Sequence, residues 1–178
     1  TQGRAAATHD VVLRAQLGGM AGNAALAQGA GARALPLLVA ARGDAVSGAR
    51  PLLAGGIAMD LARAYVALGR QTEAQEALTQ ARTSLPDEPQ VWLLSATLAR
   101  RLGQLAEAQK FIENAANLAP RSHALSPDIG VEAGVIAMLG GREEAARKSW
   151  ASVVAAAPGS EAGQRASAYL AQIGAKAP

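Results

Sequence analysis

The chain has 178 residues, with 17 basic side chains against 14 acidic ones and a formal net charge of +3. Hydrophobic residues make up 50% and aromatics only 3%, and about a quarter of the chain is alanine, so a core here is built from Ala, Leu and Val, which suits closely packed helices better than sheets. Cys 0 and His 2 exclude disulfides, thiolate metal sites, a cysteine nucleophile and a multi-histidine metal centre.

No initiating Met and no charged-then-apolar leader stands at Thr1. The chain therefore reads as a processed product, and an upstream signal or membrane anchor stays an open alternative, as do a cytoplasmic and a periplasmic location. Residues 1–10 are expected to form a disordered tail. The longest apolar run, Leu35 to Ala41, contains Pro36 and falls far short of the roughly 20 residues that cross a bilayer. A longer loop is expected from Gly43 to Gly48. Three stretches further on then align with one another. The first reads Leu68-Gly69, Ala74, Leu78, Ala81, Pro86; the second Leu102-Gly103, Ala108, Ile112, Ala115, Pro120; the third Gly140-Gly141, Ala146, Trp150, Val153, Pro158. The Gly-to-Pro distance is 17 residues in each (69 to 86, 103 to 120, 141 to 158), which carries weight because the chain has only 8 prolines.

Each mark has a physical role. The glycine stops one helix in a left-handed turn, the next segment resumes a 3.6-residue period, and the proline forbids its continuation. Asp87 is expected to cap the helix that holds Trp92, Leu94, Ala96, Leu98, Ala99 and Leu102, with Pro89 in its first turn. Ser126-Pro127 opens the following one in the same way, and Ser160 caps a last helix running to about Ile173. Two antiparallel helices per repeat follow.

This spacing resembles the tetratricopeptide repeat over about residues 55–158. In that pattern repeats start at Gly55, Pro89 and Pro127. Trp92 takes the aromatic site of a first helix, while Leu61, Ala62 and Tyr65 take the Leu, small and Tyr sites of theirs. Ala74, Ala108 and Ala146 take the small site where paired helices touch, and Trp150 the aromatic site of a second helix. Ser95 and Ala133 depart from the usual Leu, and Ala99 and Ala137 from the Tyr. The expected organisation is a degenerate N-terminal helical repeat and loop over 11–54, repeats over 55–88, 89–122 and 123–158, and a capping helix over 159–174. The degenerate repeat places Gly22, Ala25, Gly29, Ala34, Leu38 and Ala41 at family-like sites. The resemblance implies an all-α solenoid of antiparallel helix pairs, a right-handed superhelix.

Several motifs reduce to simpler readings. Gly29-Ala30-Gly31-Ala32-Arg33-Ala34 matches a dinucleotide fingerprint, but helix-favouring residues precede it where a strand is needed. Glu143 with Arg147, Glu144 with Lys148 and Glu107 with Lys110 have the spacing of solvated helix pairs rather than acid–base groups. His123, near Ser122, Ser126 and Asp128, lacks the preorganised oxyanion site of a hydrolase. No enzyme, cofactor or metal site is expected. Nucleic acid is not an expected partner either: 14 of the 17 basic residues are scattered arginines, with few aromatics among them.

The resemblance also implies that first helices line a concave, peptide-binding groove. Its positions fall on Asn23, Met59, Arg63, Val66, Leu93, Thr97, Arg100, Arg101, Val131, Val135 and Met138, an apolar floor with a guanidinium cluster. The co-chaperone members of the family grip a carboxylate with Lys and Asn. Here only Asn23 fits that constellation, and Gly19 stands where the first Lys belongs. The function expected is a non-catalytic scaffold that binds a protein or peptide, in the manner of bacterial repeat proteins of envelope, secretion or pilus assemblies. Self-association into a homo-oligomer is the first alternative, and a helical enzyme with an unrecognised site the second.

Overall fold

The computed structural model describes residues 2–119 and 127–174, with side chains from residue 9 onward. The expected roles of His123, Ser122, Ser126 and Pro120 lie outside the described residues. Among the described residues there are helices and no strand. The chain divides into two compact units, Thr1–Pro86 and Asp87–Pro178.

The first unit holds α1 (Gln2–Ala27), α2 (Gly31–Ser47), α3 (Pro51–Ala67) and α4 (Gln71–Ser84). α1 packs on α2 and α3 on α4 as hairpins, and α2 and α1 both contact α3. The stretch 1–10 expected as a disordered tail is mostly helix, because α1 begins at Gln2. Ala5 to Ala7 are strong helix formers, and the sequence carries no proline to stop the turns there. The loop expected from Gly43 to Gly48 is also corrected. α2 continues through Gly43 to Ser47, because Ala34, Leu38, Ala41 and Ala45 keep one face buried at helical spacing. The boundary expected at 54/55 consequently falls one turn inside α3, which starts at Pro51.

The second unit holds α5 (Pro89–Arg101), α6 (Leu105–Leu118), α7 (Pro127–Leu139), α8 (Glu143–Ala156) and α9 (Glu161–Gly174). α5 packs on α6 and α7 on α8, and α9 lies against both α8 and α7. Glu88 rather than Asp87 occupies the N-cap of α5, its carboxylate accepting from the Gln90 amide at 3.4 Å. Ser160 precedes α9, and its Oγ accepts from the Gly163 amide at 3.0 Å.

The four hairpin turns share one geometry. Gly29, Gly69, Gly103 and Gly141 have φ between 71° and 74°. In each, the following residue's amide donates back five residues, as from Arg70 to Tyr65 at 2.8 Å and from Gln104 to Ala99 at 2.9 Å. This is the Schellman closure of a helix end, which satisfies carbonyls that the helix leaves unpaired. Ala49 closes α2 in the same way with φ 52°, a conformation that costs an L-residue about 1–2 kcal/mol.

Within each hairpin the helices meet on small residues. Ala74, Ala108 and Ala146 are wholly buried, as are Ala15 and Ala34 of the first hairpin. Gly22 abuts Leu38, leaving no room for a Cβ between α1 and α2. Such close approach maximises dispersion contact between backbones in a chain poor in large side chains.

Candidate functional site

Of the expected groove residues, seven sit half-buried on first helices of the hairpins: Met59, Arg63 and Val66 on α3, Thr97 and Arg100 on α5, and Val135 and Met138 on α7. Asn23 on α1 and Arg101 on α5 are exposed. Leu93 and Val131 are corrected. Each is buried within the second unit's core, Leu93 among Ala96, Ile112 and Ile129, and Val131 among Ala146, Trp150 and Val153, so neither offers a side chain to a ligand. Their positions at the α5–α6 and α7–α8 seams, one residue from the half-buried Trp92 and the buried Glu132, turn them inward.

The guanidinium cluster is corrected as well, since two of its three members are already committed. Arg63 pairs with Asp60 on the same helix at 2.8 Å. Arg100 grips Glu132 with two donors, Nε to Oε1 at 2.5 Å and Nη2 to Oε2 at 3.4 Å. Arg101 remains exposed to solvent.

These contacts show a regularity that the sequence pattern did not single out. In the first unit the Asn23 amide of α1 donates to Asp60 of α3 at 3.0 Å. In the second, Arg100 of α5 donates to Glu132 of α7. Both acceptors lie nine residues before the left-handed glycine of their hairpin (60 to 69, 132 to 141). Each is thus a carboxylate at one repeat position, reached from the first helix of the preceding hairpin. Asp60 and Glu132 are mostly shielded, with side chains 14% and 12% exposed, where a paired charge is stable and an unpaired one is costly. The signal that could have found them is this shared register of an acid among apolar neighbours.

The second unit also holds an apolar cleft of about 240 Å³. Val135, Met138 and Leu139 of α7, Trp150 of α8, and Tyr169 and Ile173 of α9 line it. Trp150 and Tyr169, both in its lining, lie 4.9 Å apart between centroids with their rings tilted by 34°. Two of the expected groove residues, Val135 and Met138, therefore share a concavity with the capping helix.

Two motifs noted in the sequence resolve into structural features. Glu143 and Arg147 form an exposed ion pair at 2.6 Å. Gly29 and Gly31 turn the chain between α1 and α2 instead of following a strand. No cluster of His, Cys, Asp or Glu there is arranged to hold a metal ion, and no described helix is long and apolar enough to cross a membrane.

Family models described as tetratricopeptide repeat match residues 56–98 and 89–122. The chain thus carries tetratricopeptide repeats over residues 56–122. Its fold is similar to that of PilF from Pseudomonas aeruginosa, with a TM-score of 0.69 at 15% identity over 89% of this chain. The chain spans 66% of that protein. It is also similar to a thermophilic tetratricopeptide-repeat protein of Thermus thermophilus, with a TM-score of 0.57 at 19% identity, covering 88% of this chain and 98% of that one. No curated protein matches the sequence. The fold class is accordingly an all-α helical-repeat solenoid, and tetratricopeptide repeats of this kind are typically non-catalytic modules that scaffold protein interactions.

Proposed function

We propose that this tetratricopeptide-repeat protein is a non-catalytic scaffold that takes up an extended segment or amphipathic helix of a partner protein. The observation that carries this reading is the apolar cleft of the second unit, where Val135 and Met138 of a first helix meet Tyr169 and Ile173 of α9. An apolar side chain of the partner enters there, stabilised by about 25 cal/mol for each Å² removed from water. Arg101, exposed and with no carboxylate partner among the described residues, orients carbonyl or carboxylate groups of the same partner. A bacterial envelope, secretion or pilus assembly is the setting proposed; the fold likeness to PilF and the arginine- and alanine-rich composition support it. Affinity capture from the source cell with crosslinking and mass spectrometry tests the reading. Crosslinks should concentrate on α7 and α9, and Met138→Arg should remove them while helical circular dichroism persists. Capture that is indifferent to Met138→Arg counts against the cleft.

One observation favours the second reading, self-association. Leu13, Leu17 and Met20 form an apolar stripe on the solvent face of α1, opposite the buried Ala15, Gly22 and Ala25, and Met20 is 70% exposed. Their spacing of four and three residues is that of a helix–helix seam. Light scattering across a concentration series separates the readings. A growing mass abolished by Leu17→Glu supports self-association, and a monomer at high concentration excludes it.

A further inference from the structure

The charge of the molecule is unevenly placed. Residues 1–86 carry eight arginines and no lysine against five carboxylates, whereas residues 87–178 carry nine basic and nine acidic side chains. The whole net charge thus belongs to the first unit, and it is entirely guanidinium.

Most of those arginines are accounted for. Arg14 pairs with Asp44, Arg63 with Asp60 and Arg70 with Glu73, while Arg33 donates to Gln28 and Arg82 to the Thr79 hydroxyl. Arg42 and Arg50 have no carboxylate partner among the described residues, and these two line one cleft of about 210 Å³ where α2, α3 and α4 meet. Gln80 and Ser84 of α4 add an amide and a hydroxyl to the lining, and no acidic residue contributes to it. At the mouth, the left-handed turn at Ala49 delivers Arg50 to the N-cap of α3, where its side chain caps no amide. Two planar guanidinium forks, arriving from different elements and joined by neutral donors, match a tetrahedral oxyanion of charge −2 better than a single carboxylate. This cleft is lined by α2, the turn at Ala49, the start of α3 and the end of α4. It shares no lining residue with the proposed partner cleft, so neither reading requires the other.

We propose that the cleft bounded by Arg42, Arg50, Gln80 and Ser84 binds a terminal phosphate group. The shared chemistry is a phosphate dianion, whose source is either a soluble phosphomonoester or a phosphomonoester lipid headgroup. Titration of the full chain with inorganic phosphate, against chloride at matched ionic strength, reads it directly. Arginine Nε–H resonances of Arg42 and Arg50 and the Leu52 and Leu53 amides should shift together and saturate at one site. Arg42→Ala with Arg50→Ala should weaken binding about tenfold or more, whereas Arg142→Ala, which also removes an exposed guanidinium, should leave it unchanged. Helical circular dichroism and melting verify that both variants are folded. Glycerol 3-phosphate and phosphatidate vesicles then distinguish the sources, with phosphatidylcholine vesicles as the blank. Shifts that fail to saturate, or an equal loss with Arg142→Ala, would overturn the site and reduce the effect to screening.

Discussion

Trp150 donates its indole N–H to the backbone carbonyl of Val131, 3.1 Å away, across a gap that Gly134 keeps open. Its neighbour Ser149 donates to the preceding carbonyl, that of Gly130, at 2.8 Å. α8 thus docks on α7 through two consecutive carbonyls as well as through apolar contact. A Cβ at position 134 would collide with the indole nitrogen and its ring carbons. Gly134→Ala should therefore destabilise the protein. The overpacking cost of about 1–3 kcal/mol exceeds a gain of about 1 kcal/mol at most in helix propensity. Thermal melting with tryptophan fluorescence checks this, and a higher Tm would show that the indole yields cheaply.

The Arg100–Glu132 pair should behave unlike the surface pairs. Removing Arg100 leaves a shielded carboxylate with its hydrogen bonds unmade, so Arg100→Ala should cost about 2 kcal/mol. Arg165–Asp128, formed at 2.6 Å between side chains 46% and 60% exposed, should couple by less than about 1 kcal/mol. Double-mutant cycles in denaturant measure both. Similar couplings would mean that Glu132 is solvated in solution. Charge reversal at Arg100 therefore tests stability rather than partner binding, and Arg101 is the cleaner position for a binding variant.

Ala49 is a position where the fold asks for glycine. Ala49→Gly should relieve about 1–2 kcal/mol of left-handed strain against about 0.5–1 kcal/mol of added chain entropy in the unfolded state. A net gain of about 0.5–1 kcal/mol and a rise in Tm are expected. Gly69→Ala, at φ 72°, should move Tm the other way. Equal shifts of one sign in both variants would show that turn conformation is not the controlling factor.

Glu73 carries a pH signature. Its carboxyl is held below the ordinary carboxylate range by a backbone hydrogen bond at the start of α4, with the Arg70 guanidinium adding to the effect at 2.8 Å. A pKa that is lower in the folded chain stabilises the fold above the unfolded value, and that contribution is lost as pH falls through the folded value. Glu73→Gln should therefore lower Tm at pH 7 and have no effect at strongly acidic pH. An effect of the same size at both would assign the loss to the amide's shape instead of its charge. Arg70 also lies over the Tyr65 ring at 4.9 Å, so this turn couples α3 to α4 through one guanidinium.

The hairpins were legible because their punctuation is backbone chemistry. A left-handed glycine and a following proline act locally, and the small residues between them have no role except close approach. Ala74, Ala108 and Ala146 are buried for that reason. What could not be read depends on stacking. Leu93 and Leu94 are neighbours of one residue type, and only the packed second unit decides that Leu93 turns inward while Leu94 is half-buried. Trp92, assigned to an aromatic core site, is half-buried against Phe111 at 6.0 Å, whereas Trp150 is buried outright. Asp60 and Glu132 read as ordinary surface acids until the preceding hairpin supplies Asn23 and Arg100. The N-terminal repeat was legible from Gly22, Ala25, Ala34, Leu38 and Ala41, but the extension of its first helix back to Gln2 was not, because α1 is apolar on two opposite sides, which blurs the periodicity a one-sided helix displays.

The tips of the hairpins invite engineering. A Cβ placed on Gly29, Gly69, Gly103 or Gly141 would meet no atom within 4 Å, so the apex of each bend faces open space while backbone hydrogen bonds close the helix end. Epitopes or reporter peptides spliced in beside these glycines would lengthen the chain in open solvent, giving each unit two ports for display.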